Sequence, residues 1–253
     1  MRQCHSSVIV IGVITIAVLI NSVNSALPSK LKVCSRNDPK IDQCIMDAVN
    51  HIRPNLASGD FGEDFSIPKI EPLYIEQMKM QRGQDFQAVF SKLNVYGCSS
   101  FKFERLQSKP MNLSFDITVG IPKLNFTGKY SLKMKLLLLN LQGKGDLKGS
   151  LTNTRLAVRI RGFTEKIDGK EYVRFHRLGL RLKVESGNFQ LDNLFNGDPV
   201  LGQVGNQVIN DNSRVFLDEL IPGLEKNLGR IFTEIVNNLL KTATIDDMFP
   251  EKV

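Results

Sequence analysis

Hydrophobic and polar positions along the 253-residue chain change their period twice. Leu124, Phe126, Gly128, Tyr130, Leu132, Met134, Leu136 and Leu138 share one parity, while Asn125, Thr127, Lys129, Ser131, Lys133 and Lys135 share the other. Alternation of this kind predicts a strand with one apolar and one solvated face. The same pattern runs through Leu113, Phe115, Ile117, Val119 and Ile121, through Leu156, Val158 and Ile160, and through Leu178, Leu180, Leu182 and Val184. Long antiparallel strands with one buried face are therefore expected over about residues 65–190. Gly143-Lys144-Gly145 and Asp168-Gly169 are expected to be turns between them. A tyrosine, Tyr130, stands in the middle of an otherwise apolar face.

On either side of this region the period is helical. Ile41, Cys44, Ile45, Ala48, Val49 and Ile52 predict a short helix, with Asp38 as its N-cap, Pro39 in its first turn and Pro54 ending it. Towards the C-terminus, Leu217, Leu220, Ile221, Leu224, Leu228, Ile231, Phe232, Ile235 and Leu239 form an apolar stripe, widened by Val215, Phe216, Val236 and Leu240. Read from Val204 to Lys241, this is one helix of about 57 Å at about 1.5 Å per residue, kinked at Pro222-Gly223. So broad a stripe needs apolar cover on much of its circumference. The fold class expected is α+β, a curved antiparallel sheet wrapped around a long C-terminal helix. Imperfect closure would leave an apolar tunnel; a fully packed core is the alternative that periodicity leaves open.

Compartment and cysteine chemistry follow from the N-terminus. Arg2 precedes an uncharged run from Val8 to Ile20, and small residues at Val23 and Ser25 are placed for cleavage. The run is shorter than the about 20 residues of a membrane span, so residues 1–25 are expected to be a secretory signal peptide. Residues 26–253 are then a single secreted domain without stable membrane insertion. In that oxidising setting Cys34 and Cys44 are expected to bridge, and Cys98 to be either a buried thiol or an intermolecular link. Loss of Arg2 takes the formal net charge from +7 to +6. The lysines and arginines are spread along outer strand faces rather than grouped with aromatics, which argues against nucleic acid as a partner.

Catalytic chemistry finds little support. Outside the leader only His51 and His176 are present, and neither a metal-ligand spacing nor a nucleophile elbow, phosphate loop or dinucleotide turn occurs. Asp246 and Asp247 are expected to be solvated charges. No cofactor, metal site or catalytic residue is expected. Two sequons, Asn112-Leu113-Ser114 and Asn125-Phe126-Thr127, place their asparagines opposite apolar neighbours, where a glycan would project outward.

A set of short motifs then points to a family. Cys34 and Cys44 enclose Asp38-Pro39, and "SIPKIEPL" spans 66–73. Gly128-x-Tyr130, the run Leu136 to Leu141 and Gly143-x-Gly145 follow in order. "DGKEYVRF" spans 168–175, "NLFNGDPVLG" 193–202 and "MFPE" 248–251. In this order the chain resembles the takeout and juvenile-hormone-binding proteins of insects over essentially all of 26–253. It departs at Met134, where glycine is usual, at Asn140, where proline is usual, and at Ser213, where an aromatic often stands. A single bridge looks more like the takeout branch.

The resemblance implies a secreted, haemolymph-type carrier of a small hydrophobic ligand such as a terpenoid, fatty acid or other lipid. Roles in rhythm, feeding, development and chemosensation all occur in the family. It also implies that Tyr130 hydrogen-bonds the ligand's polar end. Phe115, Ile117, Phe126, Leu132, Met134 and Leu136 of the sheet, with Phe216 and Phe232 of the helix, are the expected wall. A second expectation is an interaction protein that presents a surface to a receptor or membrane, because Leu137 and Leu139 fall on the solvated parity.

Overall fold

The computed structural model describes residues 27–62, 65 and 67–252, so the expected leader, its cleavage point and Cys4 lie outside the described residues. Strands β1 (Leu73–Arg82), β2 (Phe86–Tyr96), β3 (Lys102–Lys109), β4 (Ser114–Leu136), β5 (Leu139–Ile167), β6 (Lys170–Phe175) and β7 (Gly179–Leu191) form one antiparallel sheet. Its spine is the β4–β5 pair, of 23 and 29 residues, joined from Ser114↔Arg161 to Leu136↔Leu139. At one end β3 flanks β4 and β6 flanks β5; at the other, β2 and then β1 flank β4, while β7 flanks the middle of β5 from Leu147 to Arg159. The sheet curls so that its apolar side faces inward.

Two turns differ from expectation. Gly143 and Gly145 lie within β5, and the β4–β5 hairpin turns instead at Leu137 and Leu138, with Leu137 at φ 54°. The glycines are needed for close approach. A Cβ on Gly143 would stand 2.7 Å from the Tyr130 hydroxyl and 2.9 Å from the Asn193 carbonyl oxygen. Asp168-Gly169 does turn, between β5 and β6, with both residues at positive φ.

The helices are α1 (Ile41–His51), α2 (Arg53–Ser58), α3 (Pro199–Asp211), α4 (Ser213–Leu239) and α5 (Ile245–Met248). Helix α1 starts later than expected. Asp38 caps the turn before it, accepting from Lys40 N at 2.7 Å, and Pro54 opens α2 because a first-turn proline gives up no intrahelical bond. The Cys34–Cys44 disulfide ties the entering chain to α1.

The C-terminal helix is two helices rather than one. Asp198 caps α3 by accepting from Val200 N and Leu201 N, and Asn212, at φ −119° and ψ 34°, ends it. Pro222 sits inside α4 without ending it. Pro222 and Asp218 are both exposed, so water can reach the carbonyl that proline leaves unbonded. Asp246 and Asp247 are structural rather than free: Asp246 pairs with Arg36, and Asp247 completes a capping box with Thr244. Asn112 lies in a 3-10 turn before β4 and not on the strand; it is exposed, as is Asn125 on β4.

Helix side chains reach both outer edges beside α4 and finish the β7 edge. Strand β7 pairs only with β5, and its other edge faces asparagines that imitate a neighbouring strand. Asn206 takes the Leu191 N–H at 2.8 Å and donates to the Leu191 carbonyl at 2.9 Å. Asn210 does the same for Phe189, with both bonds at 2.8 Å. Further along, Glu225 accepts from Leu182 N and Thr233 from Leu178 N, each at 2.9 Å. On the opposite side Asn227 donates to the Lys79 carbonyl of β1 at 3.3 Å, and Arg82 pairs with Glu219. On the β7 side, backbone groups that would be stranded at the edge are given partners at Leu178, Leu182, Phe189 and Leu191; on the β1 side, one is, at Lys79.

Three neighbouring strands change face at one level. The pairs Ile121↔Thr154 and Lys123↔Thr152 flank Pro122 and Asn153, while Thr154↔Val184 and Thr152↔Ser186 flank Asn153 and Glu185. Each strand carries one extra residue there, so the inward set shifts parity: Ile121 then Leu124, Leu151 then Thr154, Leu182 then Phe189. Pro122 has no N–H to offer a ladder, and Asn153 takes φ 47°, so both fit this interruption. The level separates two apolar clusters, one around Phe126, Phe189 and Phe216, the other around Phe115, Phe175 and Phe249. Phe232 of α4 packs against both.

Candidate functional site

Where the sheet changes face it stands off from α4 and leaves a cavity of about 170 Å³. Ile121, Leu124, Leu151, Thr154, Leu182 and Phe189 line it from both sides of the parity change. Met78 and Leu93 supply the wall from β1 and β2. On α4, Phe216, Leu220, Leu224, Leu228 and Phe232 recur at four-residue steps and present one stripe to the same space. Phe189 meets Phe216 edge-to-face at 4.9 Å between centroids and tilts against Phe126 at 5.8 Å. Aromatic rings in mutual contact lose little freedom on folding and hold that end of the wall rigid.

Of the residues expected to form the wall, the structure brings four to the cavity: Phe126, Leu132, Phe216 and Phe232. Met134 and Leu136 are buried beyond it in the same cluster, Met134 between Phe86 and Leu141. Phe115 and Ile117 belong to the second cluster. Tyr130 is buried but outside the lining, and its hydroxyl donates to the Asp192 carbonyl at 2.7 Å. Burial, then the charge of Asp192, pushes its pKa up to about 12. The packing partner that the sequence did not disclose is the 192–194 segment, which crosses the end of β5 at Gly143↔Leu194.

Three lining residues are not pure hydrocarbon, and besides the Met78 thioether two of them carry a protic group. Cys98, a free thiol, is half-buried, and its Sγ donates weakly to the Val95 carbonyl at 3.8 Å. Burial, then the charge of Glu71, pushes it up to about 12, so it behaves as an apolar wall residue. Thr154, at 2% exposure, is the other. Periodicity had no means of singling out Thr154, because its inward orientation depends on the parity change.

The cavity offers dispersion contact and burial rather than bond-making groups. His51 lies on α1, while His176 stacks on Phe163 at 4.7 Å. Among the described residues no group of three His, Cys, Asp or Glu side chains converges as metal ligands, and no helix is long and apolar enough to cross a membrane. At the hairpin turn Leu137 and Leu138 are 56% and 93% exposed, whereas Leu139 packs against the main cluster.

Known proteins share this architecture. The chain is 22% identical over 242 residues to the circadian clock-controlled protein daywake of Drosophila melanogaster, covering 90% of each chain. It is 23% identical over 239 residues to daywake of Drosophila yakuba, covering 89% of each. The crystal structure of Takeout 1 from Epiphyas postvittana superposes with a TM-score of 0.74 at 17% identity, over 87% of this chain and 99% of that one. Residues 10–250 match the profile described as haemolymph juvenile hormone binding protein (JHBP). A match over nearly the whole length, on a curled sheet closed by C-terminal helices, establishes that the chain belongs to the haemolymph juvenile hormone binding protein family.

Proposed function

We propose that this protein is a secreted carrier that holds one small, mainly apolar molecule in the cavity between the sheet and α4. The observation that carries this reading is a cavity in the middle of the main core whose surface is wholly apolar, lined by hydrocarbon side chains with the Met78 thioether, the Cys98 thiol and Thr154 among them. Each methylene moved there from water contributes about 0.8 kcal/mol. Association costs about 4–15 kcal/mol, so the fitting ligand has a long apolar body. Asn112 and Asn125, exposed and not part of the lining, are the proposed glycan acceptors.

The test is native mass spectrometry of the protein secreted from insect cells, followed by organic extraction and by uptake of a panel of fatty alcohols, fatty acids and terpenoids. One bound molecule per chain is expected, either co-purified or taken up. A cavity-filling Leu224→Trp protein should fold and fail to take it up. An empty wild-type protein that binds no panel member overturns the carrier reading and leaves the exposed Leu137–Leu138 turn as the surface to pursue. Uptake that Leu224→Trp does not change would place binding elsewhere and overturn the assignment to this cavity.

A further inference from the structure

Thr154 is the one hydroxyl-bearing residue along the cavity; the cavity surface itself is apolar, and the Thr154 Oγ1, buried just behind it, has no hydrogen-bond partner among the described residues. Nearly all buried polar groups in folded proteins are paired, and an unpaired hydroxyl disfavours the state that contains it. Water is a poor remedy here. A buried water takes about three hydrogen bonds, and the side chains of the surrounding wall offer this hydroxyl, one thiol and the weak acceptor of the Met78 thioether. Valine would fill the same volume without the penalty, so the hydroxyl calls for a partner that arrives from outside the chain.

We propose that Thr154 is the polar anchor of the cavity, and that its ligand is a long apolar chain bearing one neutral oxygen function, such as an alcohol, an ester or an aldehyde. This rests on the carrier reading and deepens it. Threonine carries its hydroxyl and methyl on one Cβ, and a rotation of about 120° in χ1 brings the hydroxyl to the position the methyl held, facing the cavity, without moving the backbone. The ligand's oxygen is neutral because no lysine, arginine or histidine lines the cavity, and a carboxylate there would be buried without a counter-charge. Ile121 and Thr154 also line an outer groove with Lys102, Arg155 and Lys183. The anchored end therefore lies where one layer of residues separates the cavity from water, and the hydrocarbon tail runs along α4 towards Phe216.

The experiment compares wild type, Thr154→Val and Thr154→Ser by displacement of a fluorescent naphthylamine dye with hexadecanol, hexadecane and palmitate. Thr154→Val should weaken hexadecanol roughly ten-fold, the loss of one hydrogen bond, and leave hexadecane unchanged. Thr154→Ser should restore hexadecanol binding, and wild type should prefer hexadecanol to palmitate. Equal loss of hexadecanol and hexadecane, or no loss of either, overturns the anchor while leaving the carrier reading intact. Failure of wild type to bind any of the three overturns both. Thermal melting of the empty proteins is the second readout: Thr154→Val should melt no lower than wild type. A fall would reveal a hydrogen bond within the chain and overturn the proposal.

Discussion

The hydroxyl of Tyr130 is held by the protein's own backbone, and Gly143 is the residue that permits it. With hydrogen in place of a side chain at Gly143, the phenol end and the 193–194 backbone share the space that a Cβ would occupy. The Asp192 carbonyl receives the phenol proton while the Asp192 N–H bonds to Asp146 O at 2.9 Å. Tyr130→Phe keeps the ring and strands a buried carbonyl, so it should lower unfolding stability by about 1–3 kcal/mol. Urea denaturation measures this, and the loss should be the same with and without hexadecanol. A Tyr130→Phe protein of unchanged stability that binds hexadecanol less tightly would instead give the hydroxyl to the ligand.

At the scale of elements, the asparagine-finished edge of β7 is the feature with the sharpest consequence. Each asparagine offers a carbonyl and an amide to one strand residue, as the next strand of a ladder would, and also donates to a carbonyl four residues back in its own helix. Asn210→Ala leaves the Phe189 N–H and carbonyl facing a methyl group. The expected cost is about 1–3 kcal/mol, with faster hydrogen exchange confined to Phe189 and its neighbours. Asn210→Asp keeps the acceptor, loses the donor, and should fall between the two.

Elements of this molecule were legible in the sequence wherever a single rule governed them. Alternation located the long strands, and a helical stripe located α4, because each buries one continuous face. The β4–β5 turn was hidden because Leu137 and Leu138 carry no turn residue, while Gly143 and Gly145, which look like one, serve contact with another segment. The split between α3 and α4 turns on the backbone of Asn212, whereas the conspicuous Pro222 is tolerated on a wet face. Phe115, Ile117, Met134 and Leu136 of the expected wall lie away from the cavity, which sits at the parity change at Pro122, Asn153 and Glu185, a feature that simple alternation does not reveal. Thr154 could be found only once three strands were seen to change face together.

For the whole molecule, α4 is the common member: it lines the cavity, touches both large clusters through Phe232 and bonds backbone at both sheet edges, at Leu182 of β7 and Lys79 of β1. Two acids held in this structure contribute to its response to alkali. Tyr130 and Cys98 are each raised to about 12, from about 10 and about 8.5 in an unfolded chain. For a raised pKa the folded state favours the protonated form. The stabilisation is whole below the unfolded values and is lost as pH climbs through them towards about 12. Urea midpoints should therefore decline from about pH 9 upward, and a Cys98→Ala, Tyr130→Phe protein should show a flatter decline.

The order of synthesis gives the finished edge a different meaning. Strands β1 to β7 leave the ribosome before Asn206, Asn210, Glu225 and Thr233 exist as part of the chain. Until they arrive, the greasy concave face and the bare edge of β7 are open to the first strand that drifts past, whether from this molecule or another. A chain interrupted just before α3 would possess every strand of the sheet and lack everything that keeps the sheet to itself.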